Sequence, residues 1–214
     1  APEAGGDWDS YPALPDFYTK NFQGVKPNKT WVYAPSESVL QERWAELIEG
    51  NDLEVRAERF KETSSTGIAV GKKPLPGSDT FQGSLESLNN QIARELIPDT
   101  PNIVQVGYRS FDRQYILADS RLLERARPEL WEHRVPGQIF IVEQHARYPK
   151  SGPGLYFDAL IPDMNAFNNR GGRTHPVLTT SGTPNLTEPA TQMLRERFGD
   201  NAPGDLVYYL AALT

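Results

Sequence analysis

Asn168-Asn169-Arg170-Gly171-Gly172-Arg173 sets four polar side chains beside two glycines in one short stretch. Arginine makes paired hydrogen bonds to guanine O6 and N7, asparagine does the same for adenine N6 and N7, and glycine lets a backbone approach a duplex. The plain alternative for the same stretch is a solvated polar turn. Arg147 and Lys150 fall on an expected turn between two strands, where they would either hold phosphates or sit at a solvated hairpin tip. Arg121, Arg125 and Arg127 form another cluster. Its spacing fits no single helical stripe, so at least one of the three is expected in an internal ion pair.

Hydrolytic chemistry finds weaker footing. Asp119 with Glu143-Gln144-His145 offers two carboxylates and a base that could hold magnesium and activate water, but the familiar nuclease spacing wants Lys where His145 stands. Gly67 to Lys73 has three residues between its glycines and Lys in place of the Ser or Thr that holds magnesium in a phosphate loop. No Gly-x-Ser-x-Gly elbow, no Gly-x-Gly-x-x-Gly and no Asn-Pro-Pro-Tyr or Asp-Pro-Pro-Tyr occurs, so neither a serine hydrolase nor a methyl-donor site is expected. Asp112, between Phe111 and Arg113, reads as a partly buried carboxylate paired with a nearby arginine. Zero cysteines and three scattered histidines (His133, His145, His175) leave no metal site to expect.

The chain has 214 residues, with 22 basic against 28 acidic side chains and a net charge of −6. That sign disfavours indiscriminate attachment to nucleic acid. The distribution says more than the total: residues 105 to 175 hold 10 basic and 8 acidic side chains, and every basic one but Lys150 is Arg. Arginine is the planar, permanently charged donor suited to phosphates and guanine edges. No apolar run reaches the roughly 20 residues needed to cross a bilayer, and the first ten residues lack a signal-peptide pattern. A cytoplasmic protein that avoids membranes is the expectation.

The elements that must position these groups follow from periodicity. Residues 1 to 101 read as an extended aromatic arm (Trp8, Tyr11, Phe17, Tyr18, Phe22) and a helical part. A short strand is expected at Thr30 to Tyr33. Ser36 then caps a helix with Leu40, Trp44, Leu47 and Ile48 on one stripe and Gly50 as stop. Asp52 to Lys61 predicts a second helix, residues 63 to 83 a surface loop, and Leu85, Leu88, Ile92 and Leu96 a third helix. From 102 to 180 the period turns to that of strands, expected at Ile103 to Tyr108, Gln114 to Ala118, Gln138 to Gln144 and Leu155 to Ile161. Pro128 starts a short helix that turns Leu130 and Trp131 inward. Asn168 to Arg173 is too rich in Gly to predict an element. Residues 181 to 214 predict two helices, Glu188 to Phe198 capped by Thr187, and a run from Pro203 with Leu206, Tyr209, Leu210 and Leu213 on one side. The order implies one α+β domain with a mixed or antiparallel central sheet and flanking N- and C-terminal helices.

Several blocks also carry a family resemblance. Phe22-Gln-Gly-Val25, Lys29-Thr-Trp-Val32, Leu40-Gln-Glu-Arg-Trp44, Gly107-Tyr-Arg-Ser-Phe-Asp112, Arg127-Pro-Glu-Leu130, Leu160-Ile-Pro-Asp163, Arg170-Gly-Gly-Arg173 and Asp205-Leu-Val-Tyr-Tyr-Leu-Ala-Ala212 occur in order over nearly the whole chain. Together they resemble the C-terminal specificity region of Type ISP restriction-modification enzymes, which join nuclease, helicase-like ATPase, adenine methyltransferase and target recognition in one chain. The resemblance implies a DNA target recognition domain without catalysis of its own. S-adenosylmethionine, ATP and magnesium would belong to other domains, and the partners would be double-stranded DNA and the methyltransferase domain. The residues expected on DNA are Arg170, Arg173, Asn168, Asn169, Arg147, Lys150, Arg121 and Arg125. The rivals are a protein-interaction or scaffolding module, and a metal-dependent nuclease built on Asp119 and Glu143.

Overall fold

The computed structural model describes residues 12–60, 73–78, 100–109, 112–144, 154–166 and 172–214. The helix expected at Leu85 to Leu96 and most of the loop 63 to 83 lie outside the described residues.

The chain enters through a single turn, α1 (Leu14–Phe17), and a two-residue strand, β1 (Phe22–Gln23). The expected strand at Thr30 to Tyr33 is reduced to β2 (Tyr33–Ala34), because Thr30 to Val32 turn. In α2 (Glu37–Glu49) Leu40, Trp44 and Leu47 recur at helical spacing and are all buried, each contributing about 2 kcal/mol of apolar burial. Gly50 ends the helix, its N–H donating to Glu46 O at 3.0 Å. Asp52 caps α3 (Leu53–Arg59) by accepting from the Glu54 and Val55 amides at 3.0 and 3.1 Å.

Two antiparallel sheets follow where one central sheet was expected. β3 (Ile103–Arg109) and β4 (Asp112–Leu117) pair closely, and β2 adds to the other edge of β4, giving the order β2-β4-β3. The second sheet has the order β1-β7-β5-β6, with β5 (Phe140–Gln144), β6 (Leu155–Asp158) and β7 (Gly172–Pro176). Strand β7 overturns the reading of residues 168 to 173 as wholly loop. Gly172 is glycine because β7 lies against β5: a Cβ there would stand 2.6 Å from Val142 Cγ1. Between the sheets comes α4 (Pro128–Glu132), which buries Leu130 and Trp131 as expected.

Residues 161–164 join the sheets. Gly107 N donates to Ile161 O at 3.0 Å and Asp163 N to Gly107 O at 2.7 Å; on the other side Val25 N donates to Pro162 O and Met164 N to Val25 O. Gly24 must be glycine for the same reason, since its Cβ would lie 2.6 Å from both Met164 N and Pro162 O. The largest core cluster runs from α2 through the three-stranded sheet and α4 to Phe140 of β5. A second one lies on the other face of the four-stranded sheet, where Tyr18, Ile141, Val177 and Val207 meet.

Two C-terminal helices close the chain, α5 (Glu188–Phe198) and α6 (Ala202–Leu213). The expected apolar stripe of α6 splits: Leu206 and Leu210 pack on the second cluster with Val207, whereas Tyr209 and Leu213 are exposed. No helix among the described residues is long and apolar enough to cross a membrane.

Candidate nucleic-acid interface

One row of residues crosses the four-stranded sheet near its end: Gln23 on β1 opposite Arg173 on β7, Arg173 opposite Glu143 on β5, and Glu143 opposite Leu155 on β6. Directly opposed residues of antiparallel strands point to the same face, so Gln23, Arg173 and Glu143 share one side. Glu143 Oε1 lies 3.4 Å from Arg173 Nε and 3.5 Å from His175 Nε2. Arg173 therefore presents a partly compensated charge.

At the β1 edge the balance is different. The backbone of Lys26 exchanges hydrogen bonds with that of Arg125, at 3.0 and 2.8 Å, and this pairing brings residues 124–127 alongside β1. Gln23 Oε1 accepts from Arg127 Nη2 at 2.6 Å and from Arg125 Nη1 at 3.3 Å. Glu124 is shared by Lys26 Nζ at 3.1 Å and Arg125 Nε at 3.7 Å. Burial pushes the Arg127 guanidinium below the usual arginine range, and the neighbouring Arg125 charge acts in the same direction, against an opposite influence from Glu129. Among the described residues, three of the four cations at this end of the sheet pair with carboxylates, Lys26 and Arg125 with Glu124 and Arg173 with Glu143, whereas Arg127 feels the Glu129 charge without an ion pair.

Of the residues expected on DNA, Arg147, Lys150, Asn168, Asn169 and Arg170 lie outside the described residues. Their flanks do not. Gln144 N donates to Gly154 O at 3.1 Å across residues 145–153, and Gly172 N donates to Met164 O at 2.9 Å across residues 167–171. Gln144 and Gly172 are register partners, so both sets of flanks meet at the end of the sheet that carries Arg125 and Arg173. Arg121 is the internal ion pair anticipated for its cluster: its Nε and Nη2 donate to the two carboxylate oxygens of Asp119 at 2.9 and 2.6 Å. Asp112, expected to be partly buried, is exposed and accepts from Gln114 Nε2 at 3.4 Å.

Of the residues named for a nuclease, Asp119 and Glu143 are described and His145 lies outside the described residues. Asp119 follows β4 of one sheet and Glu143 lies on β5 of the other, and each faces an arginine. Among the described residues no group of three or more His, Asp or Glu could hold a metal ion.

Sequence reasoning missed Gln23 and left Arg127 off the list of DNA contacts. Both belong to blocks with family resemblance, Phe22-Gln-Gly-Val25 and Arg127-Pro-Glu-Leu130, which is the signal that marks them.

A second cluster of titratable groups lies at the junction between the sheets. The Tyr33 hydroxyl donates to Asp163, Arg109 Nη1 donates to Asp163 Oδ1 at 3.3 Å, and Asn165 N donates to the same oxygen at 2.7 Å. Burial raises the Asp163 carboxyl above its ordinary value despite these donors. The Arg109 guanidinium also stacks on Tyr108, 4.1 Å from the ring centre. This cluster locks Met164, and with it the flank of residues 167–171, to the three-stranded sheet.

No curated protein sequence matches the chain. Similar solved structures include the cryoEM structure of a DrdV–DNA complex, at a TM-score of 0.53 and 16% identity, covering 96% of this chain and 20% of that one. A nuclease-deletion mutant of the Type ISP restriction-modification enzyme LlaGI, in complex with a DNA substrate mimic, has a TM-score of 0.49 and 14% identity over 89% of this chain and 17% of that one. The ATP-dependent Type ISP enzyme LlaBIII bound to DNA gives 0.47 and 10% over 94% of this chain and 14% of that one. The chain spans a fifth or less of each. The likeness to the DrdV complex is one of fold. The model of the Type ISP C-terminal specificity domain matches residues 16–214, and the chain belongs to that family.

Proposed function

We propose that the chain recognises a double-stranded DNA sequence as the specificity domain of a restriction-modification methyltransferase, with catalysis and its S-adenosylmethionine, ATP and magnesium carried by other domains. The observation that carries this reading is the family match over residues 16–214. The cationic end of the four-stranded sheet supplies the chemistry. Its cations are of the type that attracts the DNA backbone. By residue type, Asn168, Asn169 and Arg170 are suited to base edges and Arg147 and Lys150 to phosphates. The partly compensated Arg173 adds to the field at the rim.

The test is a fluorescence titration of labelled duplex with the whole chain at two salt concentrations. Phosphate contacts release counterions, so affinity falls steeply as salt rises. Affinity that does not change with salt supports the scaffold reading instead.

One observation gives the interaction reading a share in the same molecule. Phe198 of α5 and Tyr208, Tyr209 and Leu213 of α6 are large apolar side chains left between 64% and 84% exposed. Such a surface suits docking on another protein part, and the methyltransferase domain of the same enzyme is the partner proposed for it. Of the N-terminal aromatics, Tyr18 is buried and Phe17 and Phe22 pack on the core, which leaves these three unsuited to docking, while Trp8 and Tyr11 lie outside the described residues.

A further inference from the structure

We infer that Arg125 and Arg127, held together by Gln23, form a phosphate clamp that grips a DNA phosphodiester without regard to base sequence. This rests on the DNA-binding reading and assigns one function within it. The first support is the kind of atom that joins the two guanidiniums. Gln23 Oε1 is a neutral acceptor, so it orients both side chains and adds no charge to either; the carboxylate near the pair, Glu124, stands 3.7 Å from Arg125 Nε and is shared with Lys26. A carboxylate in its place would have closed an internal ion pair, as Asp119 does for Arg121.

The second support is what Arg127 lacks. Its Nε is buried without a hydrogen-bond partner, and no carboxylate lies within ion-pair distance of it among the described residues. An arginine held beside another cation and partly shielded from water is costly unless an anion arrives. A phosphodiester offers two non-bridging oxygens and one negative charge, which meets two forks and relieves their repulsion. A neutral base edge supplies acceptors but no charge.

The third support is rigidity. Arg127 has φ 58 and ψ 57, one of two non-glycine residues with positive φ among those described, and Pro128 follows it directly. A left-handed backbone at a non-glycine residue is uncommon and is stabilised by its surroundings. Here the surroundings are the Lys26–Arg125 backbone pairing, α4 and the Trp131 Nε1 bond to Ala126 O at 2.8 Å. Gln23 and Arg125 are exposed, so the pair is open to a ligand from solution. A base-reading group has to vary with the target. This one is built into the frame.

The experiment titrates the whole chain with a duplex pool of random sequence, over a range of salt. Arg127→Asn removes the guanidinium while keeping a residue that tolerates the left-handed backbone. Arg127→Asn and Arg125→Gln are each expected to weaken binding about tenfold and to lower the slope of log K against log salt by about 0.9. Gln23→Glu leaves both arginines in place but neutralises one, and is expected to weaken binding in the same direction. Circular dichroism and thermal melting identify variants that remain folded. Folded Arg127→Asn and Gln23→Glu chains with native affinity and slope on the random pool overturn the clamp, while leaving DNA recognition by other residues intact. A native chain that binds no duplex at any salt overturns DNA recognition itself and the clamp with it.

Discussion

Asp163 takes three donors and still has its carboxyl raised above the ordinary value of 3.8, because burial outweighs the hydrogen bonds and the Arg109 charge. A carboxyl whose folded value exceeds its unfolded one binds its proton more tightly in the folded state. Its contribution to stability is therefore full below about pH 4 and is lost as pH rises through the folded value. Asp163→Asn removes this contribution. The melting temperature of the native chain minus that of the variant should fall as pH is raised from about 4 to about 7, and a constant difference would show that the group does not titrate in that way. Gln23 shows the same sensitivity to a single atom. Its amide oxygen joins Arg125 and Arg127 without adding a negative charge, whereas the carboxylates of Asp119 and Glu143 close ion pairs with Arg121 and Arg173.

Among the elements, the thinnest strand bears the most consequence. β1 contributes two residues, yet it holds the edge of the four-stranded sheet, and Gly24 after it lies against the backbone of Pro162 to Met164. Gly24→Ala is expected to cost about 3 kcal/mol, because the atoms in its way are backbone rather than a movable side chain. Urea unfolding would read this as a lowered midpoint, and an unchanged midpoint would mean that residues 161–164 can retreat. The elements that sequence reasoning located are those with a local signature. The stripe Leu40, Trp44, Leu47 marks α2, Thr187 and Gly199 bracket α5, Pro128 opens α4, and the apolar runs mark β3 to β6. β1 and β2 are too short to show a period, and β7 was hidden because Gly172, which looks like a loop residue, answers to Val142 on a neighbouring strand. The candidate site was half legible for the same reason. Arg125 and Arg173 stood out by type, but Gln23 gains its role only from residues about 100 positions away.

At the scale of the molecule, a net charge of −6 and a cationic sheet end coexist because the positive groups are concentrated around Gln23 while the acidic excess lies largely in residues 1 to 104. The exposed aromatics lie on the C-terminal helices. Replacing Tyr209 and Leu213 with Ser should leave the melting temperature within about 2 °C of native, since neither is buried, and should reduce association of the isolated chain in sedimentation velocity. Equal sedimentation of the two forms would count against a docking surface there. The segment from Tyr18 to Ala34 supplies an edge strand to each sheet and lies beside residues 161–164 between them. Phe22 finds its partner Thr174 about 150 residues later. On the ribosome, this segment must wait, unpaired, until about 150 further residues have been synthesised before that ladder can close. Such distant pairings slow folding and leave strand edges open to strangers in the interval. The surface assigned to DNA is therefore among the last parts of the molecule to come into being.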